Sequence, residues 1–164
     1  MNRKQYVVLN GEKSSASIAT SGVPQGSVLG PLLFLMYIND SVQSTALDGN
    51  HTTLYADDML LYRVINCPLD FISVQRGIDN IGRWVAENDL RLNSAKCKVT
   101  LISRRRTKGN QMPMLHLYAQ PLERVFEYKY LGVVLSANLS WTPHIDKIVA
   151  KTRMIIGMLY QQFY

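Results

Sequence analysis

Apolar residues recur at helical spacing in two parts of the chain. Between Pro68 and Asn88 the repeating positions are 3, 4, 3 and 4 residues apart. They are Phe71, Val74, Ile78, Ile81 and Val85. The same spacing follows Trp141, where Thr142 can cap a helix that has Pro143 in its first position. The repeating positions there are Ile145, Ile148, Thr152, Ile155 and Leu159. Because an α-helix has 3.6 residues per turn, each pattern predicts an amphipathic helix.

A nearly continuous apolar run predicts a third helix. The preceding segment 21–27 is rich in turn-forming residues, and Pro31 is compatible with the first turn of a helix. The run from Val28 to Ile38 predicts a buried core helix that ends near Asn39-Asp40. The run is shorter than the roughly 20 residues that span a bilayer, so we expect no membrane partner.

Two β-hairpins are predicted in the first half of the chain. Asn10-Gly11 favours the positive φ angles of a tight turn and lies between the strand candidates 6–9 and 15–20. Two further β-prone segments, 52–55 and 59–62, flank Ala56-Asp57-Asp58. This second arrangement places two carboxylates at the tip of a short hairpin.

Short strands in the second half complete an α+β pattern. The strand candidates are 98–103, 114–118 and 127–135. The basic run 104–109 predicts a solvated turn. We expect an antiparallel sheet around Asp57, flanked by the helices near residues 32–39 and 71–88.

Composition favours one globular unit with a basic surface. Of the 164 residues, 47% are hydrophobic and 18% are charged, which is typical of a folded domain. The formal net charge of +6 favours a polyanionic partner, although many basic proteins bind none. The densest basic cluster can contact phosphates or can equally be a solvated turn. It comprises Arg104, Arg105, Arg106 and Lys108.

The two cysteines indicate neither a zinc site nor a disulfide framework. Cys67 and Cys97 are 30 positions apart, and neither belongs to a CxxC pair. A reducing, intracellular environment is therefore expected, with nucleus and cytoplasm both open.

The adjacent carboxylates of Asp57 and Asp58 are the most unusual local feature. Two neighbouring negative charges repel each other unless water screens them or a divalent cation neutralises them. Magnesium prefers such hard oxygen ligands. For an arbitrary Asp-Asp pair, keeping a hairpin tip soluble would be the simpler explanation.

The surrounding motifs decide between these explanations. The sequence closely resembles the reverse transcriptase domain of non-LTR (LINE-type) retrotransposons, because five motifs occur in the order found in that family. They are Ser21-Gly22-Val23-Pro24-Gln25-Gly26-Ser27 continuing to Phe34, Tyr55-Ala56-Asp57-Asp58, Leu90-Arg91-Leu92-Asn93-Ser94-Ala95-Lys96-Cys97, Tyr128-Lys129-Tyr130-Leu131-Gly132-Val133, and Leu139-Ser140-Trp141-Thr142-Pro143-His144-Ile145. Group II intron maturases share the Pro-Gln-Gly turn and the Tyr-Ala-Asp-Asp tip. Their usual Ser-Pro-Leu-Leu pattern differs from Leu29-Gly30-Pro31-Leu32-Leu33-Phe34 here.

The resemblance implies RNA-directed DNA synthesis with two Mg²⁺ or Mn²⁺ ions in the complete enzyme. The expected partners of that enzyme are an RNA template, a DNA primer and a dNTP. By the resemblance, Asp57 is the metal-binding catalytic carboxylate and Asp58 is its weaker companion. Lys96 is expected near the departing pyrophosphate, with Lys98 as the alternative.

The resemblance also assigns residues that hold the nucleic acid. Gln25, Gly26 and Tyr55 are expected at the template and substrate site, where a glycine backbone can approach closely. The primer grip is expected at Tyr130, Leu131 and Gly132. Core packing or a plain turn would explain most of these positions without any such function.

The resemblance further divides the chain and sets limits on its activity. Residues 1–135 correspond to a partial palm, and residues 136–164 to a helical segment that leads toward the thumb. In the family, a first metal-binding strand and the fingers precede the position of Tyr6. We therefore expect this chain alone to be inactive, to be marginally stable and to need that preceding region to fold. A noncatalytic RNA-binding remnant and an inert relic of a retroelement remain alternatives.

Overall fold

The computed structural model describes residues 3–19, 22, 26–45, 49–104 and 112–163. Within these ranges, the structure has four α-helices and twelve short β-strands, and the strands form six two-stranded sheets. The fold class is thus mixed α+β, as predicted. The single antiparallel sheet that we expected is replaced by separate strand pairs among the described residues.

The N-terminal hairpin forms as the Asn10-Gly11 turn predicts. Strands β2 (Val8–Leu9) and β3 (Glu12–Lys13) pair in antiparallel fashion around Asn10 and Gly11, whose φ angles are 51° and 85°. These positive angles are those of a type I′ turn. The hairpin continues outward through β1 (Arg3–Gln5) and β4 (Ser17–Ala19), which are also antiparallel.

The helix α1 (Gly30–Ile38) ends where predicted and begins two residues later than the apolar run, but it is not buried. Only Gly30 and Ile38 are buried, whereas Leu32 and Met36 are 55% and 68% exposed. Helix α1 contacts α2 (Asp40–Thr45), which follows it directly in the chain. A helix that is apolar all round needs neighbours on several sides, and the apolar run alone cannot supply them.

The carboxylate hairpin lies against two helices. Strands β5 (His51–Tyr55) and β6 (Asp58–Tyr62) pair in antiparallel fashion. Helix α2 packs on β5, and helix α3 (Asp70–Glu87) packs on β6. Both strands and α3 therefore fall within two residues of their predicted bounds. The apolar face of α3 is partly buried, and Ile81 and Val85 are its buried apolar residues.

Polar side chains connect α3 to the rest of the core. The Gln75 side-chain amide donates to the carbonyl oxygen of His116 (2.8 Å) and accepts from the His116 amide nitrogen (2.9 Å). His116 lies in β8 (His116–Leu117), which pairs with β9 (Gln120–Pro121) and packs on α3. Gln75 thus occupies the free edge of β8 as a neighbouring strand would.

The strand β7 (Lys98–Val99) is shorter than its predicted range 98–103, and its pairing differs from expectation. It pairs in parallel with β10 (Glu123–Arg124), whereas an antiparallel sheet was predicted. The connection between these two strands exceeds the dozen or so residues that a parallel crossover needs. Val125 extends the pairing, because its amide donates to the Val99 carbonyl (2.9 Å).

The C-terminal part consists of one hairpin and one long helix. Strands β11 (Glu127–Tyr130) and β12 (Val133–Ser136) pair in antiparallel fashion. Helix α4 (Thr142–Phe163) follows as predicted and packs on β12, where the Val134 amide donates to His144 Nδ1 (3.3 Å). None of its described residues is buried. No helix of the described ranges is both long enough and apolar enough to cross a bilayer.

Candidate functional site

The tip of the β5–β6 hairpin presents both candidate metal ligands. Tyr55 pairs with Asp58, so Ala56 and Asp57 are the two central residues of the turn. Both aspartates and Tyr55 are exposed. Ala56 has a φ of 52°, a conformation that costs energy in a residue with a Cβ. The turn therefore holds two carboxylates side by side in solvent on a strained backbone.

The two faces of this hairpin have different surroundings. A Cβ added to Gly77 of α3 would lie 3.1 Å from Leu61 Cδ2, so Leu61 packs directly on that helix. Leu54 and Met59 share the half-buried face with Leu61 by strand alternation. The opposite face carries half-buried Leu60, and its other residues are exposed. They are His51, Thr53, Tyr55, Asp58 and Tyr62.

The base of the hairpin is fixed to α3 by Arg63 and Asp70. Arg63 Nε and Nη2 donate to Asp70 Oδ1 at 2.9 Å and 2.7 Å. Asp70 Oδ2 accepts from the backbone amides of Asn66 (2.8 Å) and Cys67 (2.9 Å). The amide of Cys67, then the Arg63 guanidinium and the amide of Asn66, hold the pKa of Asp70 far below its usual range. This buried carboxylate is charged at neutral pH and joins three parts of the chain.

Sequence reasoning did not identify this pair. The available signal was an acidic residue in the first turn of a predicted helix, where carboxylates interact favourably with free backbone amides. The partner Arg63, seven residues earlier, has no separate signature in the sequence.

A second contact fixes the beginning of β5. The side-chain amide of Asn50, which is only 4% exposed, donates to the carbonyl of Ser73 in α3 (2.7 Å). The hairpin is thus held at the start of one strand and just beyond the end of the other, while its tip is left in solvent.

The turn before α1 is described in part. Gly26 has a φ of 78°, in the region that favours glycine. Ser27 Oγ accepts from the amide of Gly30 (3.0 Å), the first residue of α1. Gln25, which was predicted to contact the template together with Gly26, lies outside the described residues.

Lys96 and Lys98 have different environments. Lys96 is exposed in a turn, where its amide donates to the Asn93 carbonyl (3.0 Å). Lys98 Nζ lies 2.5 Å from Glu123 Oε2 in an ion pair next to the β7–β10 pairing. Because an acidic partner already occupies Lys98, Lys96 is the better candidate for contact with a pyrophosphate.

The predicted primer grip forms a tight turn. Tyr130 pairs with Val133, so Leu131 and Gly132 are the central residues, with φ angles of 46° and 88°. Two positive angles define a type I′ turn, in which leucine is unusual. Among the residues that the structure describes, strand pairing does not join this hairpin to the β5–β6 hairpin.

The remaining candidates add little to the site. Arg104 is exposed, and Arg105, Arg106 and Lys108 lie outside the described residues. In the part of the chain that is described, no three His, Cys, Asp or Glu side chains cluster to hold a metal. Two adjacent carboxylates nevertheless match a hard cation such as Mg²⁺, which commonly takes one or two carboxylates plus waters and substrate phosphates. The donor set therefore fits a divalent cation that has further ligands.

Comparison with known protein families shows which family the chain belongs to. It belongs to the family "Reverse transcriptase (RNA-dependent DNA polymerase)", whose model matches residues 1–135. The resemblance deduced from the motifs is thereby confirmed, and the similar proteins are polymerases of non-LTR mobile elements.

Relatives that match the chain include proteins from Drosophila. The chain is 31% identical over 153 residues to the "RNA-directed DNA polymerase from mobile element jockey" of Drosophila funebris and to the protein of the same name from Drosophila melanogaster. It is also 31% identical over 144 residues to the Drosophila melanogaster protein named "Probable RNA-directed DNA polymerase from transposon X-element". These matches cover 85% to 89% of this chain but only 15% or 16% of each relative.

Proposed function

We propose that this chain supplies the metal-binding hairpin of an RNA-directed DNA polymerase of a non-LTR retrotransposon. The observation that carries the proposal is the exposed Asp57-Asp58 tip on a hairpin anchored by Arg63 and Asp70 in a reverse transcriptase family member. A rigid base and a free tip are what a site for a charged substrate requires.

The carboxylates of Asp57 and Asp58 would hold Mg²⁺ or Mn²⁺, two ions in the complete enzyme. Bound there, the ions supply charge stabilisation for the attacking hydroxyl and the departing pyrophosphate. Asp57, as a central residue of the turn, is the principal ligand, and Asp58 is the auxiliary one. Neither aspartate has a third acidic neighbour among the described residues, so we expect weak binding by this chain alone.

The other residues of the proposed site bind substrates. Lys96 offers an exposed ammonium to the pyrophosphate. Gly26 and Tyr55, together with Gln25, contact the template and the incoming nucleotide. The type I′ turn at Tyr130, Leu131 and Gly132 holds the primer. This turn belongs to a palm portion at residues 1–135, and a helical segment at residues 136–164 follows it.

The nucleic-acid partners are an RNA template and a DNA primer, with a dNTP as the second substrate. The net charge of +6 supports contact with phosphates through counterion release, so binding should be sensitive to salt and tolerant of sequence. This electrostatic contribution needs no base recognition.

Primer extension on a primed RNA template tests the proposal. The chain is assayed alone and together with the preceding part of a related polymerase, which supplies further acidic ligands. We expect incorporation only in the mixture, and loss of at least about a hundredfold in rate for Asp57→Ala. Asp146→Ala, which removes an exposed carboxylate in α4, is the matched control. Incorporation that is equal in both variants would refute the assignment. RNA binding without incorporation in the mixture would favour a noncatalytic RNA-binding role.

A further inference from the structure

An aromatic pair lies at the base of the β5–β6 hairpin, on the face that carries Tyr55 and Asp58. His51 and Tyr62 are directly opposite each other in the β5–β6 register. Their ring centroids are 5.1 Å apart with an interplanar angle of 20°, so the rings are stacked. Tyr62 is 49% exposed, and His51 is exposed as well. We call this pair the aromatic shelf.

The aromatic shelf shares a face with the carboxylate tip. Along β5, His51 and Tyr55 are four residues apart, and along β6, Tyr62 and Asp58 are likewise four apart. Even separations place side chains on the same face of a strand. The opposite face, which includes Leu61, packs against α3. The shelf is therefore on the hairpin face opposite the one that packs on α3.

The distance from shelf to tip corresponds to a few nucleotides. Four residues of strand span about 13 Å. At the 3.4 Å rise of a nucleic acid strand, this distance equals about four stacked nucleotides. The template strand runs on unpaired ahead of the primer end that reacts at Asp57 and Asp58, so a template base about four nucleotides from that end can reach the shelf.

The chemistry of the shelf favours an unpaired base. Exposed histidine and tyrosine rings stack on nucleobases, which all have a π-face, and such stacking tolerates any sequence. Inside a duplex, both faces of each base are already covered by neighbouring bases. Unpaired bases offer a free face, so they gain more from an aromatic surface.

We propose that the His51–Tyr62 shelf binds an unpaired nucleobase of the RNA strand, about four nucleotides from the carboxylate tip. This inference rests on the proposed function for the position of the reacting end. The shelf contact would hold the single-stranded part of the template on the hairpin face that carries Tyr55 and Asp58. The shelf acts as a binding surface and takes no part in the chemical step.

Fluorescence of 2-aminopurine tests this contact directly. The 164-residue chain is titrated into short single-stranded RNAs that each contain one 2-aminopurine, at low salt and without divalent metal. Stacking on the shelf should quench the probe, and the titration gives an apparent Kd. The same probe placed inside an RNA duplex should bind more weakly and show less quenching.

Three variants separate ring stacking from folding. Tyr62→Leu keeps an apolar side chain in the strand and should raise the Kd for single-stranded RNA by roughly 5- to 150-fold. Tyr62→Trp keeps an aromatic ring and should retain the wild-type Kd or lower it. Tyr6→Leu is the matched control, because Tyr6 is similarly exposed (54%) in the N-terminal hairpin, and it should leave the Kd unchanged.

Several results would overturn the inference. They are an unchanged Kd in Tyr62→Leu, equal losses in Tyr62→Leu and Tyr62→Trp, or equal binding of duplex and single strand. Failure of the proposed function is separable, because it is measured by primer extension. RNA binding that depends on Tyr62, without primer extension in the supplemented mixture, leaves the shelf supported and the polymerase assignment refuted. Primer extension in the mixture, together with RNA binding that does not depend on Tyr62, would support the polymerase assignment and refute the shelf.

Discussion

Arg63 donates two hydrogen bonds to one carboxylate oxygen of Asp70, and the other oxygen of Asp70 accepts two backbone amides. Arg63 directly follows β6, and Asp70 begins α3. The pair therefore fixes the end of the strand that carries Asp58 relative to the start of helix α3. A hairpin of two short strands is marginal on its own, so such an anchor matters for its geometry.

Replacement of Asp70 by asparagine should destabilise the chain. An amide cannot accept from Arg63 and two backbone amides as a carboxylate does, and the guanidinium loses its charge partner. We expect the melting temperature to fall by several degrees in Asp70→Asn, as measured by circular dichroism. Glu123→Gln is the control, because it breaks the surface ion pair with Lys98, and exposed pairs contribute little. A melting temperature that falls equally in both variants would contradict a special role for Asp70.

Acid should remove the contribution of Asp70 selectively. The pKa of Asp70 in the folded chain is far below the value of about 3.9 expected in the unfolded chain. The stabilisation is therefore fully present above about pH 5 and is lost as the pH falls below about 4 toward the folded pKa. The difference in melting temperature between wild type and Asp70→Asn should stay constant from pH 7 to pH 5 and shrink below pH 4. A difference that persists unchanged at pH 3 would disagree with this linkage.

Two helical glycines should respond to alanine in opposite directions. At Gly77, a Cβ would lie 2.9 Å from Asn50 Nδ2, which is held by its bond to Ser73, and 3.1 Å from Leu61. Gly77→Ala should therefore lower the free energy of unfolding by about 1–3 kcal/mol. At Gly157 of α4 there is open space, so Gly157→Ala should raise it by about 0.5–1 kcal/mol. Urea unfolding of the two variants provides the comparison, and a shift of the same sign in both would count against this packing.

Exposed apolar surface on two helices should cause self-association. Met36 of α1 and Ile156 of α4 are 68% and 58% exposed, and both have large apolar neighbours that are also exposed. Exposed patches of this kind recruit other chains. We expect the sedimentation coefficient of the wild type to rise with concentration, and the rise to diminish in Met36→Lys and Ile156→Lys without loss of melting temperature. A monomer at all concentrations would contradict this expectation.

The sequence predicted local elements well because their signals are local. The apolar spacing of α3 and α4 and the turn residues at Asn10-Gly11 determine elements whose hydrogen bonds are made within a few residues. The exposed Asp57-Asp58 tip was also predictable, since two β-prone segments flank it at hairpin spacing.

Contacts between distant parts of the chain were not predictable in the same way. The burial of α1 was predicted wrongly because an apolar run does not reveal which elements cover it. The parallel pairing of β7 with β10 and the bonds from Gln75 to His116 each join residues more than 20 positions apart. No single-sequence pattern encodes such pairings. The roles of Lys96, Tyr130 and the other proposed site residues remain predictions from the family motifs.

Binding of Mn²⁺ at the hairpin tip tests the central claim most directly. In a ¹⁵N-labelled chain, a weakly bound paramagnetic ion broadens the amide signals nearest to its ligands. We predict that Mn²⁺ at increasing concentration first broadens the signals of Asp57 and Asp58, that excess Mg²⁺ reverses the effect, and that Asp57→Asn removes it while Asp146→Asn does not. Broadening that is centred elsewhere, or that is unchanged in Asp57→Asn, would contradict the assignment of this hairpin as the metal-binding element.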